Sequence, residues 1–123
     1  MKDVIIDSNI IVYIVKRELQ VLQITVPDIN YFISIITYME VLGYSFNNIE
    51  ERKYTEEIIK KIPLIYIDKT IADLVITIRS KMKIKLPDAI IAASAIINNC
   101  SLMTRNEDDF NNIEKLKIIN PFK

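Results

Sequence analysis

The sequence lacks histidine and has a single cysteine. Without histidine there can be no imidazole acid–base catalysis, no Ser-His-Asp triad and no histidine metal site. A lone cysteine excludes an intramolecular disulfide and a zinc–cysteine cluster. Free cysteines in proteins are usually buried, so we expect Cys100 to pack in the core as a small apolar side chain.

Glycine, excess charge and long apolar runs are also scarce. The only glycine is Gly43, so a glycine-rich phosphate-binding loop is excluded. Lys plus Arg equals Asp plus Glu at 16 each, so composition alone does not favour a nucleic-acid binder. No run reaches the roughly 18 apolar residues that a membrane span needs. The first apolar stretch is interrupted by Asp3, Asp7 and Asn9, unlike a signal peptide, so we expect a cytoplasmic protein without a membrane association.

What the sequence does contain is an alternation of short apolar runs and amphipathic segments. Half of its 123 residues are hydrophobic, which suits one domain over residues 1–123. Strands are predicted at 4–6, 31–35, 64–67, 102–104 and 116–119. Helices are predicted from Ser8 or Asn9, around 18–24, from a capping box at 37–40 through 46, at 50–62, from Thr70, and at 89–97. Because 89–97 is apolar on all sides, we expect it to be a core helix. The alternation predicts an α/β fold with a parallel sheet and helices on both faces.

Acidic residues recur where predicted strands or loops give way to helices. Asp7 follows the first strand, Glu40 lies about one turn after the second, and Asp88 opens the core helix. Taken singly, each has an ordinary explanation as a helix cap or first-turn acid. Together they fall at the edge of a parallel sheet where ligand sites form, and so do Asn106 and Asp109 after the fourth strand. Carboxylates that converge there repel one another unless a cation neutralises them.

Four segments of the chain, in this order and spacing, resemble the PIN domain, and in particular the VapC-type toxins of prokaryotic toxin–antitoxin pairs. They are 4–9 (VIIDSN), 33–40 (ISIITYME), 86–93 (LPDAIIAA) and 102–106 (LMTRN), and the resemblance extends to the closing 118–122 (IINPF). It implies a PIN-like three-layer α/β/α fold around a central parallel sheet of four or five strands.

The resemblance also implies the site. Asp7, Glu40 and Asp88 would hold the metal, and Thr104, Ser8 and Asn9 would be polar neighbours. The family often has a fourth acid at the position of Asn106, so the chain departs from the pattern there. Asn106 can still offer its carbonyl oxygen, and Asp109 resembles the acid that some relatives use instead.

The chemistry implied is hydrolysis of RNA phosphodiester bonds, leaving 5′-phosphate and 3′-hydroxyl ends. Oxygen ligands without His or Cys favour Mg²⁺ or Mn²⁺ over zinc. Basic groups that could contact the phosphate backbone are Lys85 and Arg105, near the acids in sequence, with Lys81 and Lys83; the plainer interpretation is a solvated surface run.

The resemblance further implies a homodimer and a cognate antitoxin that covers the acidic crevice, with an arginine of the antitoxin as one means of reaching the carboxylates. Two apolar sets offer partner surfaces, although helices commonly turn such faces into their own core. They are Ile10, Ile14, Val21 and Leu22, and the face around Tyr38, Leu42 and Phe46.

Two other functions stay open on the sequence. The first is a PIN-fold binding module with weakened catalysis, because Asn106 lacks a charge. The second is a phosphoacceptor signalling domain, with Asp68 at the end of the third strand. That class needs an acidic pair after the first strand, where this chain has Ser8 and Asn9 beside Asp7. We therefore expect Asp68 to cap the helix near Thr70 instead.

Overall fold

A computed structural model of the chain describes residues 2–16, 28–44 and 46–122. The strands are β1 (Lys2–Ile6), β2 (Ile29–Ser34), β3 (Leu64–Ile65), β4 (Ser101–Met103) and β5 (Ile118–Ile119). The helices are α1 (Ser8–Val15), α2 (Ile35–Leu42), α3 (Ile49–Lys60), α4 (Lys69–Lys81) and α5 (Leu86–Ile97), with a 3₁₀ turn at Glu107–Asp109. The helix predicted around 18–24, and Val21 and Leu22 within it, lie outside the described residues.

The five strands form one sheet in the order β3-β2-β1-β4-β5, and every pair is parallel. From β1 the chain moves outward through β2 to β3, then crosses back to place β4 on the other side of β1. The strand order therefore reverses between β1 and β4. In sheets of this kind the crevice beyond the carboxyl ends of those two strands is the usual ligand site.

Alternate residues of β1 pack into two separate apolar layers, as the period of two along a strand requires. Ile5 packs with α4 and α5, whereas Val4 and Ile6 pack with α1 and α3. The remaining helix, α2, contacts α1, α3 and α5, so it touches helices of both layers. The predicted three-layer α/β/α architecture with a parallel sheet is confirmed.

The predicted core helix is α5, in which every residue from Ala89 to Ala95 is buried. Its alanines let the helix approach the sheet closely, and Cys100 just beyond it is buried as expected. Ile10 and Ile14 are also fully buried, so these two belong to the core of this chain rather than to a partner surface. Tyr38, by contrast, is 38% exposed.

The cap of one helix, and the start and the end of another, differ from the prediction. Helix α1 is capped by Asp7, whose carboxylate accepts from the Ser8 N–H, so neither Ser8 nor Asn9 is the cap. The capping box at 37–40 does not form, because α2 begins earlier, at Ile35, with Ser34 as its cap. That helix ends at Leu42 rather than near 46. The prediction for Asp68 was right: it caps α4 by accepting from the Ile71 N–H at 2.9 Å.

Candidate metal-binding site

The centre of the candidate site is Asp7, at the point where the strand order reverses. Its backbone N–H donates to the carbonyl of Met103 at 2.9 Å, which fixes the carboxyl end of β1 against that of β4. Across this junction the Thr104 hydroxyl donates to Asp7 Oδ2 at 2.8 Å. Asp7 is only 5% exposed and Thr104 not at all, so the pair is rigidly embedded. The sheet itself thus positions the first acid.

Local hydrogen bonds orient the Asp7 carboxylate further. Oδ1 accepts from the Ser8 N–H at 2.8 Å, and Oδ2 accepts from Asn9 Nδ2 at 3.1 Å. Burial nevertheless raises the pKa of Asp7 above its usual value; the bonds from Thr104 and Ser8 lower it, and the charges of Glu40 and Asp109 raise it. Burial opposes the ionised form, and a cation nearby would favour it. Among the described residues, the charges that shift the pKa of Asp7 come from two acids, and no cation lowers it.

The second acid, Glu40, reaches the same place from α2. Its Oε1 accepts a hydrogen bond from Ser8 Oγ at 2.7 Å, which joins the start of α1 to α2. The same hydroxyl lies 3.5 Å from Thr37 Oγ1, a buried side chain one turn before Glu40. Glu40 itself is exposed, so its carboxylate is oriented by Ser8 while remaining open to solvent.

The third acid, Asp88, lies in the first turn of α5, directly after Pro87. Its pKa is raised from 3.8 to about 6, first by burial and then by the charges of Asp7, Asp109 and Glu40. The neighbouring Lys85 acts in the opposite direction. Three acids from distant parts of the chain are therefore near enough to Asp88 for their charges to raise its pKa.

The region after β4 contains both candidates for a fourth position, Asn106 and Asp109, and both side chains are exposed. Asp109 ends the 3₁₀ turn, and its charge raises the pKa of both Asp7 and Asp88. Asn106 is exposed, and the contact that ties it to the site is made by its backbone, whose N–H donates to Thr104 Oγ1 at 3.1 Å. Of the two sequence candidates for a fourth position, Asp109 is the one electrostatically coupled to the other acids.

The two basic candidates occupy different positions at this crevice. Lys85 precedes α5 and is exposed, close enough for its charge to lower the pKa of Asp88. Arg105 follows Thr104, and its backbone N–H donates to Asn9 Oδ1 at 3.4 Å. Its guanidinium lies over the rings of Tyr13 and Phe122.

The spacing and chemistry of these side chains determine which divalent cation they could hold. Within the described ranges, no three His, Cys, Asp or Glu side chains are grouped tightly enough to ligate one ion directly. Mg²⁺, however, usually keeps several of its waters and binds through one or two carboxylates. A buried, oriented Asp7 with three further carboxylates around it fits an ion of that kind, and the mutual repulsion of the four acids is what such an ion would relieve.

Sequence reasoning missed three side chains that support the site. Thr37 was interpreted as a helix cap, yet it is buried beside the Ser8 hydroxyl that orients Glu40. Tyr13 and Phe122, which hold the Arg105 guanidinium, were not identified at all. The spacing of Thr37 and Glu40 is a recognisable pattern in the sequence. By contrast, no local pattern links residues 13, 105 and 122.

Comparison with known proteins agrees with the geometry. The model of the PIN domain family matches residues 4–116 of the chain. Of curated proteins, none matches.

Solved structures match over almost the whole chain. A toxin–antitoxin complex from Klebsiella pneumoniae is 32% identical, with a TM-score of 0.79 and 98% of both chains covered. The VapBC2 structure from Rickettsia felis, bound to a DNA fragment from its promoter, is 20% identical with a TM-score of 0.84, over 96% of this chain and 98% of that one. DNA-bound VapBC from Salmonella typhimurium is also 20% identical, with a TM-score of 0.83, over 98% and 99%.

Proposed function

Because the chain belongs to the PIN domain family, we propose that it is a metal-dependent endoribonuclease and the toxin of a type II toxin–antitoxin pair. The observation that carries the proposal is the convergence of four acids at the reversal point of the sheet, where the charges of Glu40 and Asp109 raise the pKa of both Asp7 and Asp88. The similarity to toxin–antitoxin and VapBC structures supports the biological role.

In this proposal Asp7, Glu40 and Asp88 hold Mg²⁺ or Mn²⁺, directly or through water. When bound, such an ion lowers the pKa of an attacking water and neutralises charge on the phosphate being cleaved. Thr104 and Asn9 keep the Asp7 carboxylate in one orientation through bonds of 2.8 and 3.1 Å. Ser8 does the same for Glu40 at 2.7 Å. Ligand orientation of this kind commonly affects activity by about 10- to 100-fold.

Without a cation, burial and the neighbouring acids Asp7, Asp109 and Glu40 raise the pKa of Asp88 to about 6, and a bound divalent ion would favour its ionised form. Asp109 supplies the fourth acidic position, and Asn106 contributes a neutral side chain at the rim. No imidazole is required for this chemistry, which agrees with the absence of histidine. The products would carry 5′-phosphate and 3′-hydroxyl ends.

The substrate proposed is RNA. Its phosphates would be attracted by Lys85 and Arg105, because the chain as a whole has no net charge. The acidic crevice repels a polyanion unless its carboxylates are neutralised, so binding of RNA at the crevice should depend on the divalent ion.

A partner surface adjoins the acids. An apolar groove lies between α1, α2 and α3 and reaches Ser8 and Glu40; its remaining lining includes Val12, Val15, Val41, Tyr44 and Phe46. We propose that a segment of the cognate antitoxin lies in this groove and covers the crevice. The homodimer and the cytoplasmic location remain proposals too; within the described part of the chain no helix is long and apolar enough to cross a membrane.

The competing possibility is a PIN-fold binding module with weakened catalysis. It is favoured by the neutral Asn106 and by the spacing of the acids. Within the described residues, no three carboxylates are grouped tightly enough to ligate one ion directly. Both candidates would bind RNA, but only the nuclease would cut it.

The test is cleavage of RNA by the purified chain with Mg²⁺, Mn²⁺ or a chelator, followed by mapping of the new ends. We expect cleavage only with the ions, and loss of cleavage in Asp88→Asn. Asp73→Asn is the matched control, because Asp73 is an exposed acid of α4 paired with Lys69 at 2.8 Å. In cells, expression without an antitoxin should arrest growth, and Asp88→Asn should relieve the arrest. Intact RNA under every condition would favour the inactive module.

A further inference from the structure

An arginine near the candidate site forms no ion pair within the described residues although acids lie beside it. Arg105 shares an open cleft with the acidic turn Glu107–Asp109, Asn120 and Phe122. An arginine in such surroundings would ordinarily form a bidentate pair with a carboxylate. None of the ion pairs found among the described residues involves Arg105, and none of their hydrogen bonds uses its guanidinium.

Two aromatic rings account for this position. The guanidinium carbon lies 4.3 Å from the centroid of the Phe122 ring and 5.0 Å from that of Tyr13. The rings contact each other edge to face, with centroids 4.9 Å apart. Stacking uses the flat face of a guanidinium and leaves the N–H donors at its edge available. The rings thus orient the guanidinium, and among the described residues no ion pair or hydrogen bond takes up its donors.

The backbone of Arg105 is tied to the candidate site. It directly follows Thr104, which donates to Asp7, and its own N–H donates to Asn9 Oδ1 at 3.4 Å. Asn9 in turn donates to Asp7 at 3.1 Å. One side chain therefore separates the backbone of Arg105 from the central acid.

We propose that Arg105 is a preorganised phosphate contact for the RNA strand, and that Tyr13 and Phe122 are positioning residues that keep its guanidinium unpaired. This rests on the proposed function and deepens it, because it assigns the backbone phosphate next to the crevice to one side chain. An unpaired, oriented guanidinium binds phosphate through two parallel N–H donors, which a lysine cannot reproduce.

The test measures the affinity of a short fluorescein-labelled single-stranded RNA as a function of salt concentration, in an Asp88→Asn background with Mg²⁺ so that the probe stays intact. Each phosphate contact on single-stranded nucleic acid contributes about 0.7 to the slope of log affinity against log salt. We expect Arg105→Ala to weaken binding and to reduce the steepness of this slope by about 0.7. Arg105→Lys should keep the slope but recover only part of the affinity.

The positioning role has its own signature. Phe122→Leu should keep the slope, since the charge is still present, but weaken binding by about threefold, the size of one exposed cation–π contact. The matched control is Arg52→Ala, which removes an arginine that also lies near a ring, that of Phe46, but is paired with Glu56 at 3.2 Å. It should leave the slope unchanged.

The outcomes separate the two proposals. An unchanged slope in a folded Arg105→Ala variant, checked by thermal unfolding, would overturn the phosphate contact while leaving the nuclease proposal intact. A loss of slope equal to that of Arg52→Ala would also overturn it, because any arginine would then serve. If the parent protein neither binds nor cleaves RNA, the proposed function fails and the contact fails with it.

Discussion

The two ends of the central strand β1 carry the same residue type in opposite circumstances. Asp3, near the amino end, accepts a hydrogen bond from Asn30 at 3.0 Å and lines an open cleft that also holds Lys2, Lys115 and Lys117. Asp7, four residues on, is buried, and the charged groups that shift its pKa are two other acids, Glu40 and Asp109. At the first end lysines lie in the same cleft as the aspartate, whereas at the second the charges that shift the pKa of the aspartate come from acids.

The difference between Asp3 and Asp7 indicates which end of the sheet is suited to a functional site. Burial without compensation costs stability, and proteins keep such arrangements mainly where function uses them. An isolated acid at the end of a strand would carry little meaning. The carboxyl end differs from the amino end because acids from separate elements lie near a buried aspartate and raise its pKa.

The largest expected effect compares these two aspartates directly. Asp7→Asn should lower RNA cleavage by about a thousandfold or more, since electrostatic stabilisation of a transition state is often worth that much. Asp3→Asn should leave the rate within about twofold, because surface substitutions remote from a site have small effects. Both are measured as initial rates with saturating Mn²⁺, and Mn²⁺ binding should be lost in Asp7→Asn alone. Equal effects of the two changes would remove the distinction between the ends.

The next largest effect on cleavage compares two buried hydroxyl groups, one at each end of β4. Thr104→Val removes the bond to Asp7 Oδ2 and should reduce cleavage by about 10- to 100-fold, the usual effect of losing a group that orients a metal ligand. Ser101→Ala, at the amino end of the same strand, is the control, because Ser101 is 6% exposed but remote from the acids. A comparable loss of activity in both variants would indicate damage to the strand rather than to the site.

The smallest effect concerns stability and pH. Because the pKa of Asp88 is raised from 3.8 to about 6, the folded protein binds more protons than the unfolded chain between these values. Its metal-free stability should therefore fall as pH rises through that window, in contrast to an acid with a depressed pKa. Asp88→Asn removes this loss, so its Tm should exceed that of the parent by a few degrees above about pH 7 and match it near pH 4.

A bound metal ion should change the difference in Tm between the parent and Asp88→Asn. Saturating Mg²⁺ should stabilise the parent by mass action and reduce or reverse its deficit relative to Asp88→Asn. Thermal unfolding at several pH values, with and without the ion, measures both effects. A parent whose metal-free Tm rises steadily from pH 4 to 7 relative to the variant would contradict the assigned cost of the Asp88 charge.

Much of the fold follows from local patterns in the sequence. The buried strand before Asp7, the cap at Asp68 and the all-apolar helix containing Ala89–Ala95 depend on short-range spacing and composition, and the structure has all three. The start of α2 was misassigned because Thr37 and Glu40 form a capping pattern that competes with the cap actually used, Ser34. Local rules cannot decide between two adjacent caps when the choice depends on how the preceding strand ends.

The site was predictable only in part, for a different reason. Placing Asp7, Glu40 and Asp88 at one edge needed only the direction of parallel strands. The effect of the Asp109 charge on the pKa of Asp7 and Asp88 depends on the path of the 3₁₀ turn, which local sequence patterns do not give. The contact of the Arg105 guanidinium with the rings of Tyr13 and Phe122 joins residues separated by most of the chain. No periodic pattern in the sequence encodes such a contact.

The bond between Thr104 and Asp7 spans 97 positions, and it has a consequence for the ribosome that makes this protein. Until β4 and the residues after it have emerged, the first strand has no neighbour on that side and its aspartate has no partner. A growing polypeptide therefore cannot complete the candidate site from its early portion alone. If the proposed ribonuclease activity holds, this order of synthesis would keep the site incomplete while most of the message is being translated.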